Sequence, residues 1–409
     1  MGVSFMILIV SEAVMNANDN ISSVFQSPDL VRASNIVTWN KWFLNFLGLC
    51  PTKVNQPVFV VVIVYMVLHC IIAANHLIRN INHPDLVVAN LTDNVFISMI
   101  LGKMSLCRWN SKIMAKFLKS IEADFTTEMY GNVREKMAYL YYNEIALIFV
   151  KVSMFMTGFT ASIYFFWKIF VNWSAGNLES NFTNSLPYPV HPFFEIKDIT
   201  TYICVSFYLG IMLPVILCGY GGPDAYVLSM SFHICGQFAA LSCKIDNLLR
   251  DHKNYHRHIS NIILRHRHLI RLAQIVENNF NMMYLQQTVC SVFLLCLTLY
   301  HMMAKSDYEE NSKIALYALY TFCVSGTILT YCYTGECLLT ESVKLRETFY
   351  NTDWYNISPS YAKLIGICLI RSERPMILTA GKFCVLSLNT FTSIVKTSMA
   401  YLSVLRNFM

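Results

Sequence analysis

The sequence predicts an all-α membrane protein of seven transmembrane helices in inverted topology, N-terminus cytoplasmic and C-terminus extracellular, with a cytoplasmic helical anchor bundle. Three observations predict it. Of 409 residues, 55% are hydrophobic and 14% charged, with a mean hydropathy of +0.44, whereas a soluble domain carries about a quarter charged residues. Seven stretches are long and apolar enough to cross a hydrocarbon core about 30 Å thick, which takes roughly 20 residues at 1.5 Å each. Basic residues gather on alternate connections between those stretches.

The chain reads as a single seven-helix channel-subunit domain, without internal repeats or low-complexity linkers. Residues 1–57 form the cytoplasmic N-terminal segment. It opens on MGVSFMILIV, which has no basic residue before its apolar run and carries Met6 where myristoylation needs Ser or Thr, so it reads as a dispensable extension. Residues 58–227 hold the first four crossings: Val58 to Ile78, Leu86 to Cys107, Ala146 to Val171 and Tyr202 to Val227. The second is weakened by Asn90, Asp93 and Asn94. Between the third and fourth lies an outer loop, 172–198, with N-glycosylation sequons at Asn172 and Asn181.

Residues 228–279 read as cytoplasmic extensions of helices four and five, because Leu228 to Leu249 and His256 to Asn279 mix apolar with basic and polar residues at helical spacing. Their apolar stripes must bury against each other or against a neighbouring subunit. Residues 280–333 carry crossings five and six, Leu285 to Met303 and Ile314 to Tyr333. Residues 334–384 form the rest of the anchor, including a helix from Ser358 to Arg371, and 385–409 the last crossing, Leu386 to Leu405.

With the N-terminus inside, the cytoplasmic segments hold roughly fourfold more Lys and Arg than the outer ones. The sequons then face outward, in agreement. A rhodopsin-like receptor would have the opposite orientation, and its DRY and NPxxY motifs are absent. The net charge of +6 and the lack of a basic run interleaved with aromatics exclude nucleic acid as a partner. Fourteen cysteines without repeated spacing read as small buried hydrophobes. No phosphate loop, catalytic triad or metal signature appears, so neither an enzyme nor a cofactor is expected. His252, His256, His258, His266 and His268 read as a solvated, partly protonated surface, since HRH spacing splits ligands across helix faces. Asp93 and Lys151 lie at opposite levels of the membrane, which argues against a direct pair.

The last crossing is half polar. On a helical wheel Asn389, Thr390, Thr392, Ser393, Lys396, Thr397, Ala400, Ser403, Val404 and Phe408 share one arc, opposite Phe391, Ile394, Val395 and Leu402. Small polar residues can serve close packing between membrane helices. They can equally line water, and Lys396 favours that reading, since lipid exposure at mid-span costs about 3 kcal/mol. Val404 and Phe408 turn the wet face apolar near its outer end, as a gate that closes by dewetting requires.

The stretch from TYCYTGEC through DWY, RSERP, TAGKF and SIVKTSMAY closely resembles the C-terminal signature of insect odorant receptors. Tyr331, Cys332, Tyr333, Asp353, Trp354, Tyr355, Arg371, Ser372, Arg374, Pro375, Thr379, Ala380, Gly381, Phe383, Lys396, Thr397, Ser398 and Tyr401 carry the likeness. It thins upstream to FLGLCP at Phe46 to Pro51, LPYPVHPFF in the outer loop and HICGQF at His233 to Phe238. The resemblance implies an odorant-gated, non-selective cation channel in the plasma membrane of olfactory sensory neurons. It also implies a hetero-oligomer with the shared odorant receptor coreceptor, most simply a tetramer joined through its cytoplasmic helices. The inner connection near Lys244 to His256 is too short for a coreceptor, so a tuning subunit is expected.

The resemblance places the pore along the last helix, with Asn389, Ser393, Lys396, Thr397, Ala400 and Tyr401 along it and Val404 and Phe408 at the gate. It places a volatile odorant between helices two, three, four and six, at Phe96, at Phe155, Gly158 and Ser162, at Tyr202, Val205 and Leu209, and at Tyr317 and Tyr320. Two alternatives share parts of this pattern. A gustatory-type ligand-gated channel has the same architecture, though DWY and SIVKTS favour the odorant branch. A seven-helix transporter would need an inverted repeat.

Overall fold

The computed structural model describes residues 30–124, 130–174, 198–248, 255–303 and 311–406, with 186–188, 190, 194 and 196 of the outer loop; the side chains of 30–32, 84–85, 171–174, 247–248, 255–256, 301–303, 311–313, 356 and 401–406 fall outside it. The chain is helical almost throughout. Six described helices are long and apolar enough to cross a membrane; the polar-striped last helix, expected as the seventh span, is not among them.

Helix α1 (Leu30–Phe46) lies in the N-terminal segment and buries Ala33, Ile36, Val37 and Leu44. α2 (Gln56–Arg79) starts with proline in its first turn, where the missing N–H costs no bond. It exposes Val60, Val61, Val64, Leu68 and Ile71, a stripe suited to lipid rather than water. α3 (Pro84–Trp109) turns its polar residues inward: Asn90 Nδ2 donates to the Ala73 carbonyl of α2 at 3.0 Å, and Asn94 Nδ2 to Asn90 Oδ1 at 2.7 Å. α4 (Ser111–Asp124) is amphipathic, with Met114, Phe117, Leu118 and Ile121 buried.

α5 (Val133–Ser174), α8 (Tyr255–Met303) and α9 (Asn311–Tyr350) have 42, 49 and 40 residues. At 1.5 Å per residue the shortest is about 60 Å long, twice the hydrocarbon core. Each therefore crosses and continues as a packed helix beyond one face. α5, the third span, does so although extensions were expected of the fourth and fifth.

The fourth crossing is broken where one continuous helix was expected. α6 (Ile199–Gly210) ends and α7 (Met212–Leu248) begins across Ile211, because Pro214 has no N–H for the carbonyl one turn back. α5 and α7 form the most extensive helix pair and α10 (Pro359–Ser372) packs on α9.

At the end of the bundle that carries most basic residues, Asp124 ties four helices together. Arg265 Nη2 of α8 donates to its Oδ2 at 2.7 Å, and His233 Nε2 of α7 lies 3.1 Å from the same oxygen. Tyr139 of α5 meets the other ring nitrogen of His233 at 3.0 Å. The histidine cluster is not the solvated surface that spacing suggested. His266 is 4% exposed, its Nε2 3.2 Å from Ser372 Oγ and its ring against Phe349, because α10 covers that face. His268 is half-buried beside Ser120, and His252 lies outside the described residues.

A two-residue antiparallel ladder, β1 (Thr379–Ala380) with β2 (Cys384–Val385), precedes α11 (Leu388–Arg406). Its turn has Gly381 and Lys382 at φ +60° and +65°, the backbone of a type I′ turn. Gly381 also abuts Leu285, where a Cβ would sit 2.6 Å from Cδ2, so the TAGKF glycine answers both to the turn and to α8. Glu277 of α8 accepts from the Thr379 N–H at 2.8 Å and from its hydroxyl.

Candidate functional site: an aromatic cavity and the last helix

Between α3, α5, α7 and α9 lies a cavity of about 70 Å³, room for several water-sized groups. α3 contributes Thr92, Asp93 and Phe96; α5 contributes Thr157, Thr160, Ala161 and Tyr164 at i, i+3, i+4 and i+7. α7 supplies Ile216 and Tyr220, and α9 supplies Tyr317, Tyr320 and Cys323. Tyr188, from the loop between α5 and α6, also lines it, stacked on Tyr164 with ring centroids 5.6 Å apart. Phe96 packs edge-on against Tyr320 at 5.7 Å and tilted against Tyr220 at 5.2 Å.

The lining is apolar apart from a few polar atoms. Tyr164 donates to Asp93 Oδ2 at 3.2 Å, and Thr160 Oγ1 meets Cys323 Sγ at 3.0 Å. The hydroxyls of Tyr188 and Tyr320 are buried and have no hydrogen-bond partner among the described residues. A buried unpaired hydroxyl costs about 1–3 kcal/mol, so a guest that pairs with one gains orientation and affinity together.

Of the expected ligand residues, Phe96, Tyr317 and Tyr320 line this cavity. The other six do not. Phe155 is 67% exposed and stacks on Phe159 along the outside of α5. Gly158 faces Leu217 of α7, and Ser162 lies on the same neighbouring strip. Tyr202, Val205 and Leu209 sit on α6, with Tyr202 and Leu209 buried. Asp93, Tyr164, Tyr188 and Tyr220 were missed as walls. The available signals were an ionisable residue inside a span and the LPYPVHPFF loop.

Behind the cavity is a buried ion pair that hydropathy hid. Lys103 Nζ of α3 lies 2.7 Å from Asp224 Oδ2 of α7, with side-chain exposures of 0% and 2%. Tyr331 of α9 donates to Asp224 Oδ1 at 2.5 Å, and Lys103 Nζ stands 3.9 Å over the ring of Tyr220. Tyr220 thus faces the cavity and the pair at once. Asp93 and Lys151 do not meet: Asp93 bonds Tyr164, and Lys151 Nζ sits 5.8 Å from the Trp39 ring.

In α11 the single chain buries Phe391 and Ser398 and exposes Asn389, Ser393, Lys396, Thr397 and Ala400. Ser393 and Thr397 hydroxyls donate to the carbonyls of Asn389 and Ser393, at 3.0 and 2.8 Å, leaving their lone pairs outward. The helix includes Tyr401 and Val404, whose side chains are outside the description, as is Phe408 altogether. Asn172 falls within α5 without a described side chain, and Asn181 lies outside the described residues. α9 holds the start of α11: Glu336 accepts from the Leu388 N–H at 3.2 Å, and at Gly335 a Cβ would lie 2.2 Å from the Leu386 carbonyl oxygen.

A family model described as the 7tm odorant receptor matches residues 83–399. The chain belongs to that family. It is 22% identical over 302 residues to Odorant receptor 63a of Drosophila melanogaster, covering 72% of this chain and 69% of that receptor. The match to Odorant receptor 10a of the same species, 22% over 231 residues, spans 53% of this chain and about half (54%) of that protein. The olfactory receptor OR5 of Machilis hrabei, solved in complex with eugenol, superposes with a TM-score of 0.78 over 93% of this chain and all of that one, at 16% identity. Membership makes this a multi-pass membrane protein.

Proposed function

We propose that this chain is the tuning subunit of a ligand-gated, non-selective cation channel. Small volatile molecules open it, in a hetero-oligomer, most simply a tetramer, with the odorant receptor coreceptor. Its expected location is the plasma membrane of olfactory sensory neurons, with the N-terminus inside and Asn172 and Asn181 glycosylated outside. The charge asymmetry of the connections supports that orientation.

One observation carries the reading: a cavity walled by aromatic residues and the start of the polar-faced α11 are joined by one unbroken helix. From Tyr320 to Gly335 is about 22 Å of α9 at 1.5 Å per residue. An odorant that fits one setting of α9 better than another shifts the population by that difference in affinity and no more. Ions would follow the face holding Asn389, Ser393, Lys396, Thr397 and Ala400, joined by Tyr401 and gated at Val404 and Phe408. Phe96, Tyr317 and Tyr320 would contact odorant directly. Phe155, Gly158, Ser162, Tyr202, Val205 and Leu209, outside the cavity, would act on binding through helix position.

The test is whole-cell recording from cells expressing the chain with a coreceptor, over an odorant panel, with cysteines placed along α11. Externally applied thiol reagents should block the evoked current at Asn389, Thr397 and Val404. Block confined to Phe391 and Leu402 would overturn the pore assignment.

A further inference from the structure

We propose that the cavity is a site for protonated volatile amines, with Asp93 as counter-charge and the surrounding rings as the cage. This rests on the reading of the cavity as the odorant site and names the chemistry it selects.

A carboxyl group inside a membrane span is rare and marks a ligand or ion path by default. Here Asp93 lines an otherwise largely apolar cavity, and its one hydrogen bond among the described residues is the 3.2 Å contact from Tyr164. The polar residues next to it in sequence do not satisfy it. Asn94 bonds back to Asn90, and Thr92 to the Val88 carbonyl. Asp93 therefore keeps acceptor capacity toward the cavity, since a carboxyl group has more lone-pair sites than the one hydrogen bond from Tyr164 uses.

The rings decide which donor fits. Phe96, Tyr164, Tyr188, Tyr220, Tyr317 and Tyr320 all line the space, and the negative π-faces of such rings attract ammonium groups. A neutral alcohol would use Asp93 as an acceptor but gain nothing from the cage. An alkylamine, which like the lysine side chain (pKa about 10.4) is protonated at neutral pH, gains from both. Lys168, one turn beyond Tyr164 on α5, acts electrostatically on the same carboxyl without lining the cavity. Its charge opposes that of a cationic guest at the same carboxyl.

Probes of one skeleton isolate the charge: 3-methylbutan-1-amine against 3-methylbutan-1-ol, and 2-phenylethylamine against 2-phenylethanol. Currents are recorded from cells expressing the full chain with a coreceptor, and melting of the purified receptor is measured with each compound. The amines should act at concentrations about tenfold or more below their alcohols. Asp93→Asn should raise the amine's half-maximal concentration at least tenfold more than it raises the alcohol's, whereas Lys168→Met should lower the amine's. Amines no better than alcohols in wild type, by current and by melting, overturn the proposal without any variant being needed. Alcohol-evoked currents with that result would leave the channel reading standing. Amine stabilisation that Asp93→Asn abolishes, with no current from any compound, would uphold the amine site and sink the channel reading instead.

Discussion

Replacing Lys103 by methionine keeps most of the side-chain volume and removes one charge from the buried pair with Asp224. Both side chains are almost fully enclosed and 2.7 Å apart. Removing one partner of such a pair costs about 3–5 kcal/mol, because the other charge stays buried without compensation. Among the described residues Asp224 would retain only the Tyr331 hydroxyl. Unfolding entropy near 2.1 cal/mol/K per residue gives about 0.86 kcal/mol/K over 409 residues, so the loss lowers the melting temperature by about 4–6 °C. The double change Lys103→Met with Asp224→Leu removes both charges. It should recover about half of that drop, leaving about 1–3 kcal/mol for the orphaned Tyr331 hydroxyl. Thermal unfolding of the purified receptor in detergent, run on both singles and the double, is the assay. A Lys103→Met receptor that melts with wild type, or a double that melts no higher than the worse single, would refute the pairing as a stabilising element.

Gly335→Ala drives a Cβ to 2.2 Å from the Leu386 backbone oxygen; overpacking of this kind costs about 1–3 kcal/mol, so surface expression and odorant-evoked current should both fall, while unchanged values would mean that α9 and α11 separate freely. Tyr320→Ala should shift odorant sensitivity and leave ion selectivity alone, and Val404→Ala should do the reverse, as dose–response curves and reversal potentials will report; equal effects on both properties would contradict the division. At Asp124, burial raises the carboxyl's pKa but the contacts from His233 and Arg265 outweigh it and hold it below the usual carboxylate range. Its stabilisation is therefore full above about pH 4 and is lost as pH falls through the lower folded value. Asp124→Asn should accordingly melt below wild type near pH 6, and the gap should close toward about pH 2; a pH-independent gap would exclude the charge as its origin.

The family signature became intelligible only with coordinates. TAGKF is a type I′ turn pressed on Leu285, and the glycine of YCYTGE is where the last helix docks. His233 of HICGQF sits between Asp124 and Tyr139. In each case residues distant in sequence set the requirement.

From sequence alone came the number and order of the spans, the basic asymmetry, and the polar arc of the last helix, because hydropathy and period are local properties of a chain. Tertiary structure alone decided which strip of each span faces inward. On α5 it chose Thr157, Thr160, Ala161 and Tyr164 over Phe155, Gly158 and Ser162. It also brought Lys103 to Asp224 and Tyr188 to the cavity lining. In a bilayer both the buried and the exposed strips of a helix are apolar, so amphipathicity does not orient it. Contacts with the neighbouring helices set the rotation, and one residue of error turns the strip by about 100°.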